Sequence, residues 1–376
     1  MEPIRFKTEI KYPSDINLIN DVFKTNGFDL FLVGGCVRDA YIGIEPKDWD
    51  LATNAKPDEV IGILAGQKFT HNILETGKAF GVINHLTRDN EFEIATFRSD
   101  GEYSDSRRPD SVTFSNIEGD VLRRDLTCNA LFYDLSTNEI VDLVGGIADI
   151  DANIINTVGN PVDRFNEDRL RILRCVRFTC RFGAELSQEV KNALSDDSSI
   201  DGISPERIRD EFLKGFKSAK NKTDFLDMLD YYGLFDFIFR DLRVDTLIDT
   251  SDDVLATVAT MLRGNSNLKT VLNKLTWSTD EIQKIALLQA IPSIEGGIVN
   301  LKKRQKAIEL SKETILEFMR LNGQTWGEVF TEFELKVSAE FLMRELGLSG
   351  KELGEEIHNR EMVRFWDSRL DFFRFR

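Results

Sequence analysis

The apolar pattern of this chain changes once along its length, between about residues 150 and 165. Before that stretch, short runs rich in β-branched and aromatic residues end at glycine or turn residues; examples are DLFLVGG, FGVINHL, FEIATFR and EIVDLVGG. After it, long segments such as PERIRDEFLKGFKS carry apolar residues at spacings of three and four. The first pattern predicts strands and the second predicts amphipathic helices. We therefore expect one α/β or α+β domain followed by an all-helical part.

Charge and composition narrow the classes of protein to which the chain can belong. Of its 376 residues, 41% are apolar, which is enough to bury a substantial core and excludes a disordered or fibrous chain. Lys and Arg number 48 against 64 Asp and Glu, a net charge of −16. Such a chain does not coat nucleic acid through bulk charge, although a localised basic cleft stays open.

The cysteines, the histidines and the amino-terminal sequence favour the cytoplasm. Four cysteines form no CxxC pair and three histidines lie far apart, so neither a disulfide framework nor a zinc site is expected. The first residues show no basic region followed by an apolar stretch, and no apolar run approaches the ~18 residues that a membrane span needs. We expect a soluble cytoplasmic protein without membrane contact.

The segment richest in candidate functional residues is FLVGGCVRDAYIGIEPKDWDLAT, residues 31–53. A buried strand is expected to end at Gly34 and Gly35, where the chain turns into a short helix bearing Arg38. Two glycines at such a turn let backbone N–H groups approach a phosphate closely. The residues fit neither the GxGxxG nor the GxxxxGK[ST] pattern, and a purely structural glycine turn is the alternative.

Two aspartates follow in the same segment. Asp48 and Asp50 are two residues apart, and on a strand this spacing points both carboxylates to one face. Two like charges side by side need a cation, and hard oxygen ligands with open positions suit Mg²⁺ that bridges a triphosphate during phosphoryl transfer. A solvated acidic turn is the alternative.

These residues resemble the signature of the class II tRNA nucleotidyltransferase and poly(A) polymerase family, in which GG-x-VRD leads through a short helix to a metal-binding D-x-D. Three later segments are similar to motifs of that family in the same order: FEIATFRSDGEYSDSRRPDSVTF at 92–114, LRRDLTCNAL at 122–131 and EDRLRILRCVRF at 167–178. One such motif alone is a weak signal, whereas four in order are a specific one.

The resemblance implies a fold and a set of partners. It implies a polymerase-β-like nucleotidyltransferase head with a mixed sheet at residues 1–155, a helical neck at 156–220 that selects the nucleobase and binds RNA, and a helical body at 221–376 that binds tRNA. It further implies Mg²⁺ as cofactor, held by Asp48 and Asp50, and tRNA, CTP and ATP as partners. No protein partner is evident.

The first downstream motif supplies a third carboxylate. Glu91 and Glu93 flank Phe92 in a strand-like run, so one of them is expected to face the aspartates and complete a metal shell; the family pattern favours Glu93. We predict Asp48, Asp50 and Glu93 as the catalytic residues. An exposed strand glutamate is the alternative.

In LRRDLTCNAL, Arg123 and Arg124 are suited to neutralise phosphate oxygens, while Asp125 and Asn129 are suited to hydrogen-bond ribose hydroxyls. If the segment is helical, Asp125 and Asn129 lie four apart on one face. A capped helix start with a surface arginine pair is the alternative. The resemblance implies that Arg123 contacts the nucleotide, and we assign Gly34, Gly35, Arg38, Arg123, Asp125 and Asn129 to nucleotide binding.

The segment 167–181 predicts an amphipathic helix with a basic stripe formed by Arg171, Arg174, Arg177 and Arg181. A solvated helix face is the usual meaning of such a stripe. Asp168 and Arg171, however, together offer acceptor and donor atoms that match the edges of cytosine and adenine. In the family the corresponding pair acts as a protein template, so we predict that Asp168, Arg171, Arg174 and Arg177 bind the nucleotide.

Three further features carry expectations. The family usually has proline where this chain has Arg169, which leaves the exact start of the helix open. The segment SDGEYSDSRRPDS is expected to be a mobile loop near the site, with an ordinary solvated loop as the alternative. The end, RFWDSRLDFFRFR, suits stacking on RNA, with a packed terminal helix or a dimer contact as alternatives.

The residues and the resemblance together predict template-independent addition of C, C and A to the 3′ end of tRNA, with release of pyrophosphate. A poly(A) polymerase and a partial CC- or A-adding enzyme share every motif and stay open as alternatives. A non-catalytic RNA-binding relative is a third, which the intact Asp48 and Asp50 disfavour.

Overall fold

The structure is a computed structural model that describes residues 3–101, 111–294 and 297–374, the last four of these as backbone only. The chain forms two compact units, Met1–Ile203 and Ser204–Arg376. A mixed sheet with helices in the first unit and helices in the second confirm the predicted fold class. The three-part division at residues 155 and 220 stays a prediction.

The strands of the first unit are β1 (Ile4–Lys7), β2 (Leu30–Val33), β3 (Asp50–Thr53), β4 (Asn72–Leu74), β5 (Val82–Leu86), β6 (Glu91–Thr96), β7 (Arg98–Asp100), β8 (Val112–Phe114), β9 (Phe132–Asp134), β10 (Glu139–Asp142), β11 (Ile154–Ile155) and β12 (Glu185–Leu186). Its helices are α1 (Asp15–Thr25), α2 (Gly35–Tyr41), α3 (Pro57–Leu64), α4 (Ile117–Leu122), α5 (Gly146–Asp151), α6 (Pro161–Glu167), α7 (Leu170–Phe182) and α8 (Gln188–Asp196), with short 3₁₀ helices at Lys78–Phe80 and Thr127–Asn129.

The helices of the second unit are α9 (Pro205–Ser218), α10 (Lys222–Tyr231), α11 (Phe235–Ile238), α12 (Val254–Met261), α13 (Leu268–Lys274), α14 (Thr279–Ala290), α15 (Ile298–Ala307), α16 (Lys312–Leu321), α17 (Gly327–Glu332), α18 (Ala339–Leu346) and α19 (Gly350–Arg374). None of the helices in the described ranges is long and apolar enough to cross a membrane.

Eight strands of the first unit form one sheet in the order β1-β10-β9-β2-β3-β6-β5-β4. Among the described strand pairs of this sheet, β3 and β6 alone run parallel, and their neighbours are antiparallel. A parallel pair needs a crossover, and here α3, β4 and β5 supply it. The crossover brings β6 against β3, although 37 residues lie between the two strands in sequence.

Alternation along the strands gives the sheet two different faces. Leu32, Leu51 and Ile94 point to one face, where they pack in the main core with α1, α2 and α3. Val33 and Ala52 point to the other face, in a smaller cluster. The residues next to Leu51 and Ile94 in sequence therefore project from the less covered face of the sheet.

The second unit is built around aromatic side chains. Phe212 on α9 contacts both Phe225 on α10 and Phe239 just after α11. A Cβ on Gly215 would lie 2.4 Å from the Phe225 ring, so glycine lets α9 and α10 approach closely. Arg209 donates two hydrogen bonds to Glu281 and thereby joins α9 to the start of α14.

The second half of α19 packs against a different group of aromatic side chains. Phe365 is fully buried and packs edge-on against Trp326 and Phe333, while Arg369 lies over the rings of Trp326 and Trp366. For these residues the packed-helix alternative describes the structure, whereas the side chains beyond residue 370 lie outside the described ones.

His85 on β5 is a buried imidazole inside the main core. It lies between the rings of Phe69 and Phe92, its Nε2 is 2.9 Å from Thr70 Oγ1, and its Nδ1 finds no hydrogen-bond partner among the described residues. Burial lowers the pKa of His85 to about 4, against a small opposing effect of Asp15. The side chain is therefore neutral in the folded protein at neutral pH.

We expect His85 to make the fold acid-sensitive. The unfolded chain takes up a proton below pH ~6.5, while the folded chain does so only near pH 4, so the free energy of unfolding falls by about 3 kcal/mol across this window. Replacing the imidazole in His85→Leu should remove this part of the pH dependence in urea unfolding of the full chain. His71→Asn, at an exposed position, is the control. An identical pH dependence in wild type and His85→Leu would contradict the assignment.

Candidate active site

Three carboxylates come together on the less covered face of the sheet. Asp50 is the first residue of β3 and stands directly opposite Glu93 in the parallel pairing of β3 with β6. Asp48 lies in the bend before β3, so the expectation that both aspartates sit on the strand is wrong. The strand begins only at Asp50 because pairing with β6 begins there.

The three carboxylates of this group repel one another. Burial, together with the negative charges of Glu93 and Asp48, raises the pKa of Asp50 to about 6, while Arg124 acts in the opposite direction. Asp48 and Glu93 are thus close enough to influence Asp50 electrostatically. A cation bound beside Asp50 would relieve this repulsion.

Glu91 and Glu93 point to the same face of the sheet and differ in the residues opposite them on the neighbouring strands. Glu91 and Glu93 are two residues apart on β6, so both project from the same face, and our expectation that alternation separates them is wrong. Glu93 stands opposite Asp50, whereas Glu91 stands opposite Leu86 on β5 and accepts a hydrogen bond from Asn84. The pairing register therefore places Glu93, and not Glu91, next to Asp50.

The carboxylates fit a cation only in part. No group of three or more His, Cys, Asp or Glu side chains in the described part of the chain is arranged to hold a metal ion. Mg²⁺ is commonly held by one or two carboxylates together with water and substrate phosphates. Asp48 and Asp50 fit this second kind of site, in which the remaining oxygens come from outside the protein.

The glycine turn lies beside the carboxylates. Gly34 has φ +76°, a conformation that favours glycine, and its N–H donates to the carbonyl of Leu131 at 2.9 Å. Cys36 on α2 donates its Sγ–H to the carbonyl of Asp50 at 3.8 Å, which places the start of α2 next to β3. A Cβ on Gly34 would lie 3.5 Å from Arg124 Nη1, so the turn also borders the arginine pair.

Arg38 on α2 is buried, with only 3% of its surface exposed. Its guanidinium donates to Asp39 Oδ1 and to Asn129 Oδ1, and it lies over the rings of Phe178 and Phe182. The side chain thus joins α2 to α7 and to the segment that carries Asn129. Its assignment to nucleotide binding stays a prediction.

Asp120 is a residue that sequence reasoning missed. It is fully buried at the end of α4 and binds Arg123 through Oδ1 and Arg124 through Oδ2, at 2.7 Å and 2.8 Å. Although burial by itself raises the pKa of Asp120, the two guanidinium groups hold it below its ordinary value. The helical spacings of three and four between Asp120 and the two arginines were the available signal.

Asp125 and Asn129 are held by other side chains. Arg174 on α7 donates from two nitrogens to Asp125 Oδ2, and Asn129 donates to Asp125 Oδ1 at 3.4 Å. Burial raises the pKa of Asp125, but Arg174 lowers it to about 2. The segment forms a short 3₁₀ helix at Thr127–Asn129 and not an α-helix, yet it still brings Asp125 and Asn129 into contact.

The expected single helix over 167–181 is wrong at its start. Helix α6 ends at Glu167 and α7 begins at Leu170, while Asp168 between them is extended, with φ −147° and ψ 103°. Asp168 ends α6 because its carboxylate accepts the backbone N–H of Leu170 at 3.0 Å and so caps the next helix. The predicted base-reading pair therefore spans a helix junction.

Arg171 is almost fully buried at this junction. Its guanidinium binds the carboxylate of Glu167 and donates to the carbonyls of Arg164 and Arg123, each at 3.1 Å. Arg164 binds the other oxygen of Glu167 and donates to the carbonyl of Leu122. Arg164 and Arg171 thus share the carboxylate of Glu167. Together they bind the carbonyls of Leu122 and Arg123, which directly precede Arg124 and Asp125.

The basic stripe of α7 is not a solvated face. Arg171 is buried and Arg174, Arg177 and Arg181 are half-buried. The last three lie over the ring of Phe178, at 5.5, 4.3 and 5.9 Å from its centre. Phe178, which is buried, is thus a second residue that the sequence analysis missed.

The predicted mobile loop SDGEYSDSRRPDS has only its ends inside the described ranges. Residues 102–110 lie outside them. At its ends, β7 pairs with β8 in antiparallel fashion, and β7 begins two residues after β6 ends.

Comparison with known proteins identifies similar ones for both parts of the chain. A model of the poly(A) polymerase head domain matches residues 30–156, and a model described as the probable RNA- and SrmB-binding site of polymerase A matches residues 184–245. The CCA-adding enzyme of Lactobacillus helveticus is 42% identical over 190 residues, which are 50% of this chain and 46% of that enzyme.

A longer match is the CCA-adding enzyme of Staphylococcus aureus, 34% identical over 284 residues, which are 73% of this chain and 69% of that enzyme. Among solved structures, the Bacillus stearothermophilus CCA-adding enzyme in complex with CTP has a similar fold, with a TM-score of 0.73 at 23% identity, over 94% of this chain and 92% of that one. The matches to the first relatives span about half of their length.

We expect Asp120→Asn to weaken both the fold and the arginine pair. The amide keeps the size of the side chain but leaves two guanidinium groups without their buried carboxylate, which should lower the free energy of unfolding by about 3 kcal/mol or more. Urea unfolding of the full chain measures the loss. Asp163→Asn, an exposed acidic residue on α6, is the control. Equal stability of the two variants would show that Asp120 does not hold the pair.

Proposed function

Since the chain belongs to the family of the CCA-adding enzymes, we propose that it adds C, C and A to the 3′ end of tRNA from CTP and ATP, without a nucleic-acid template. The observation that supports this most directly is the trio of carboxylates, with Asp50 opposite Glu93 and Asp48 beside them, next to a glycine turn and an arginine pair. Negative carboxylates suited to a cation thus lie beside positive arginines suited to a triphosphate.

In this proposal the triphosphate lies between the glycine turn and the arginine pair. Gly34 and Gly35 leave the backbone accessible, and Arg123 and Arg124 bind phosphate oxygens. Asp120 keeps both guanidinium groups in place through one buried carboxylate. The 3′-hydroxyl of tRNA then attacks the α-phosphorus, and the bond to pyrophosphate breaks.

The family implies dependence on a divalent cation. We propose that the ion is Mg²⁺ and that Asp48 and Asp50 hold it together with oxygens of the triphosphate; it supplies Lewis-acid stabilisation of the charge on the phosphates. Glu93 lies opposite Asp50 and adds negative charge to the same face. This negative face and the arginines on its border orient the triphosphate in one direction.

Base selection is proposed for the junction of α6 and α7. Asp168 and Arg171 supply acceptor and donor atoms for the edges of cytosine and adenine, and Arg174 and Arg177 complete the basic border.

We also propose the division into a head at 1–155, a neck at 156–220 and a tRNA-binding body at 221–376, and a location in the cytoplasm. Arg38, Asp125 and Asn129 are proposed to bind the nucleotide.

We expect Asp48→Asn and Asp50→Asn to abolish the addition of both C and A. The amides keep size but lose the charge that binds a cation, while tRNA affinity should stay within a few-fold. Wild type and variants are incubated with tRNA that lacks its last three nucleotides, with CTP and ATP, and products are resolved at one-nucleotide steps. Glu91→Gln, on the same face but out of register with Asp50, is the matched control.

The same gel separates the alternatives. Addition of CC alone, of A alone or of a long A tail by wild type would replace the proposed activity with that of a partial enzyme or a poly(A) polymerase. No extension at all would favour an RNA-binding relative. Near-normal turnover in Asp50→Asn would refute the role of the carboxylates.

We expect Asp168→Ala and Arg171→Ala to lose discrimination as well as rate. A good bidentate contact is worth ~1–3 kcal/mol against the wrong base, so incorporation of UTP or GTP relative to CTP and ATP should rise roughly ten- to hundred-fold. Competing-nucleotide incorporation on the same tRNA measures the ratios. Because Arg171 also holds the carbonyl of Arg123, its variant should lose more rate than that of Asp168. Unchanged ratios in both variants would contradict base reading.

A further inference from the structure

The junction of α6 and α7 is held from one side by a side chain that has no part in the proposed chemistry. Arg169 stands between Asp168 and the first residue of α7 and points away from Arg171, towards the loop after α8. Its Nη1 donates to Asp197 Oδ2 at 2.6 Å and to the carbonyl of Ser199 at 3.2 Å. Its Nη2 donates to Asn166 Oδ1 at 3.3 Å, on the last turn of α6.

The receiving loop is itself fixed in place. Asp197 Oδ1 accepts the backbone N–H of Ser199 at 2.9 Å, which leaves Oδ2 for Arg169. The backbone N–H of Asp197 donates to the carbonyl of Ala193 at the end of α8, and Ile200 is fully buried. Arg169 thus reaches from a two-residue junction to a loop anchored at both ends.

These contacts are poorly suited to a role in overall stability. The side chain of Arg169 is 23% exposed and that of Asp197 is 53% exposed. An ion pair with this much solvent contributes little to the free energy of unfolding. Its position has a larger consequence, because Arg169 directly follows Asp168 and lies two residues before Arg171, in the backbone that joins them.

We propose that Arg169 is a positioning residue for base selection, which holds the α6–α7 junction through Asp197 and Ser199 so that Asp168 and Arg171 keep a fixed relative geometry. This rests on the proposed function. Arg169 touches neither nucleotide nor metal in this role; it acts through the backbone of its two neighbours. A base edge must meet two groups at once, so a small rotation at the junction weakens both contacts together.

The backbone of the junction offers a specific test of this role. Arg169 has φ −59°, close to the value that proline imposes, and Asp168 before it is extended, as a residue before proline prefers. Arg169→Pro therefore removes the guanidinium and stiffens the same backbone in the same conformation. Arg169→Ala removes the guanidinium and leaves the junction without either restraint.

The experiment compares Arg169→Ala, Asp197→Asn, Arg169→Pro and the double variant Arg169→Pro/Asp197→Asn with wild type in single-nucleotide addition to tRNA. We expect Arg169→Ala and Asp197→Asn to raise KM for CTP and ATP about three- to ten-fold, with kcat within two-fold, and to raise UTP incorporation relative to CTP. Arg169→Pro should stay near wild type, and Asp197→Asn should add nothing to it. Lys191→Ala, which breaks an exposed pair between α8 and Glu185 on β12, is the matched control.

Three results would overturn the proposal. One is an unchanged KM and UTP ratio in Arg169→Ala. Another is equal impairment of Arg169→Ala and Arg169→Pro, which would mean that the guanidinium itself contacts nucleotide or tRNA. The third is a full effect of Asp197→Asn in the Arg169→Pro background. Wild type in the same assay distinguishes the two hypotheses. If wild type is active and Arg169→Ala is unaffected, only the positioning role is refuted. If wild type is inactive, both the proposed function and this inference are refuted.

Discussion

The parallel pairing of β3 with β6 is the constraint on which the candidate site depends. It places Asp50 directly opposite Glu93, although 42 residues separate them in sequence, and it projects both carboxylates from the face that the main core does not use. Burial raises the pKa of Asp50, and the negative charges of Glu93 and Asp48 add to that effect. A fold that keeps such repulsion in place is stabilised elsewhere, by Leu51 and Ile94 on the opposite face of the same two strands.

Arginine forms the other half of the site, and each buried guanidinium is matched by a carboxylate or by backbone carbonyls. Asp120 holds Arg123 and Arg124, Asp125 holds Arg174, and Glu167 holds Arg171. A buried arginine without such a partner would be costly, so the acidic residues that help to make the whole chain negative also allow a basic border to form locally. The net charge of −16 and a basic site are thus compatible.

The fold class and most of the candidate positions were predictable from local pattern. Short β-rich runs and helical spacing predicted the two parts, and the spacing of Asp48 and Asp50 predicted a carboxylate pair. Strand β3 begins only at Asp50, and Glu93 rather than Glu91 stands opposite it, because strands distant in sequence decide where pairing begins. Helix α6 ends at Glu167 for a local reason, since the neighbouring Asp168 caps the next helix.

The sequence by itself determined which residue types are available, since glycines at a strand end, a carboxylate pair, an arginine pair and a basic helix are all local features. The tertiary structure alone decided which groups meet. Asp50 meets Glu93 only when β3 pairs with β6, and Arg174 meets Asp125 only when α7 packs against the segment after α4. Side-chain contacts across the fold have no period in sequence, because packing and register, and not local spacing, bring such groups within a few ångströms of each other.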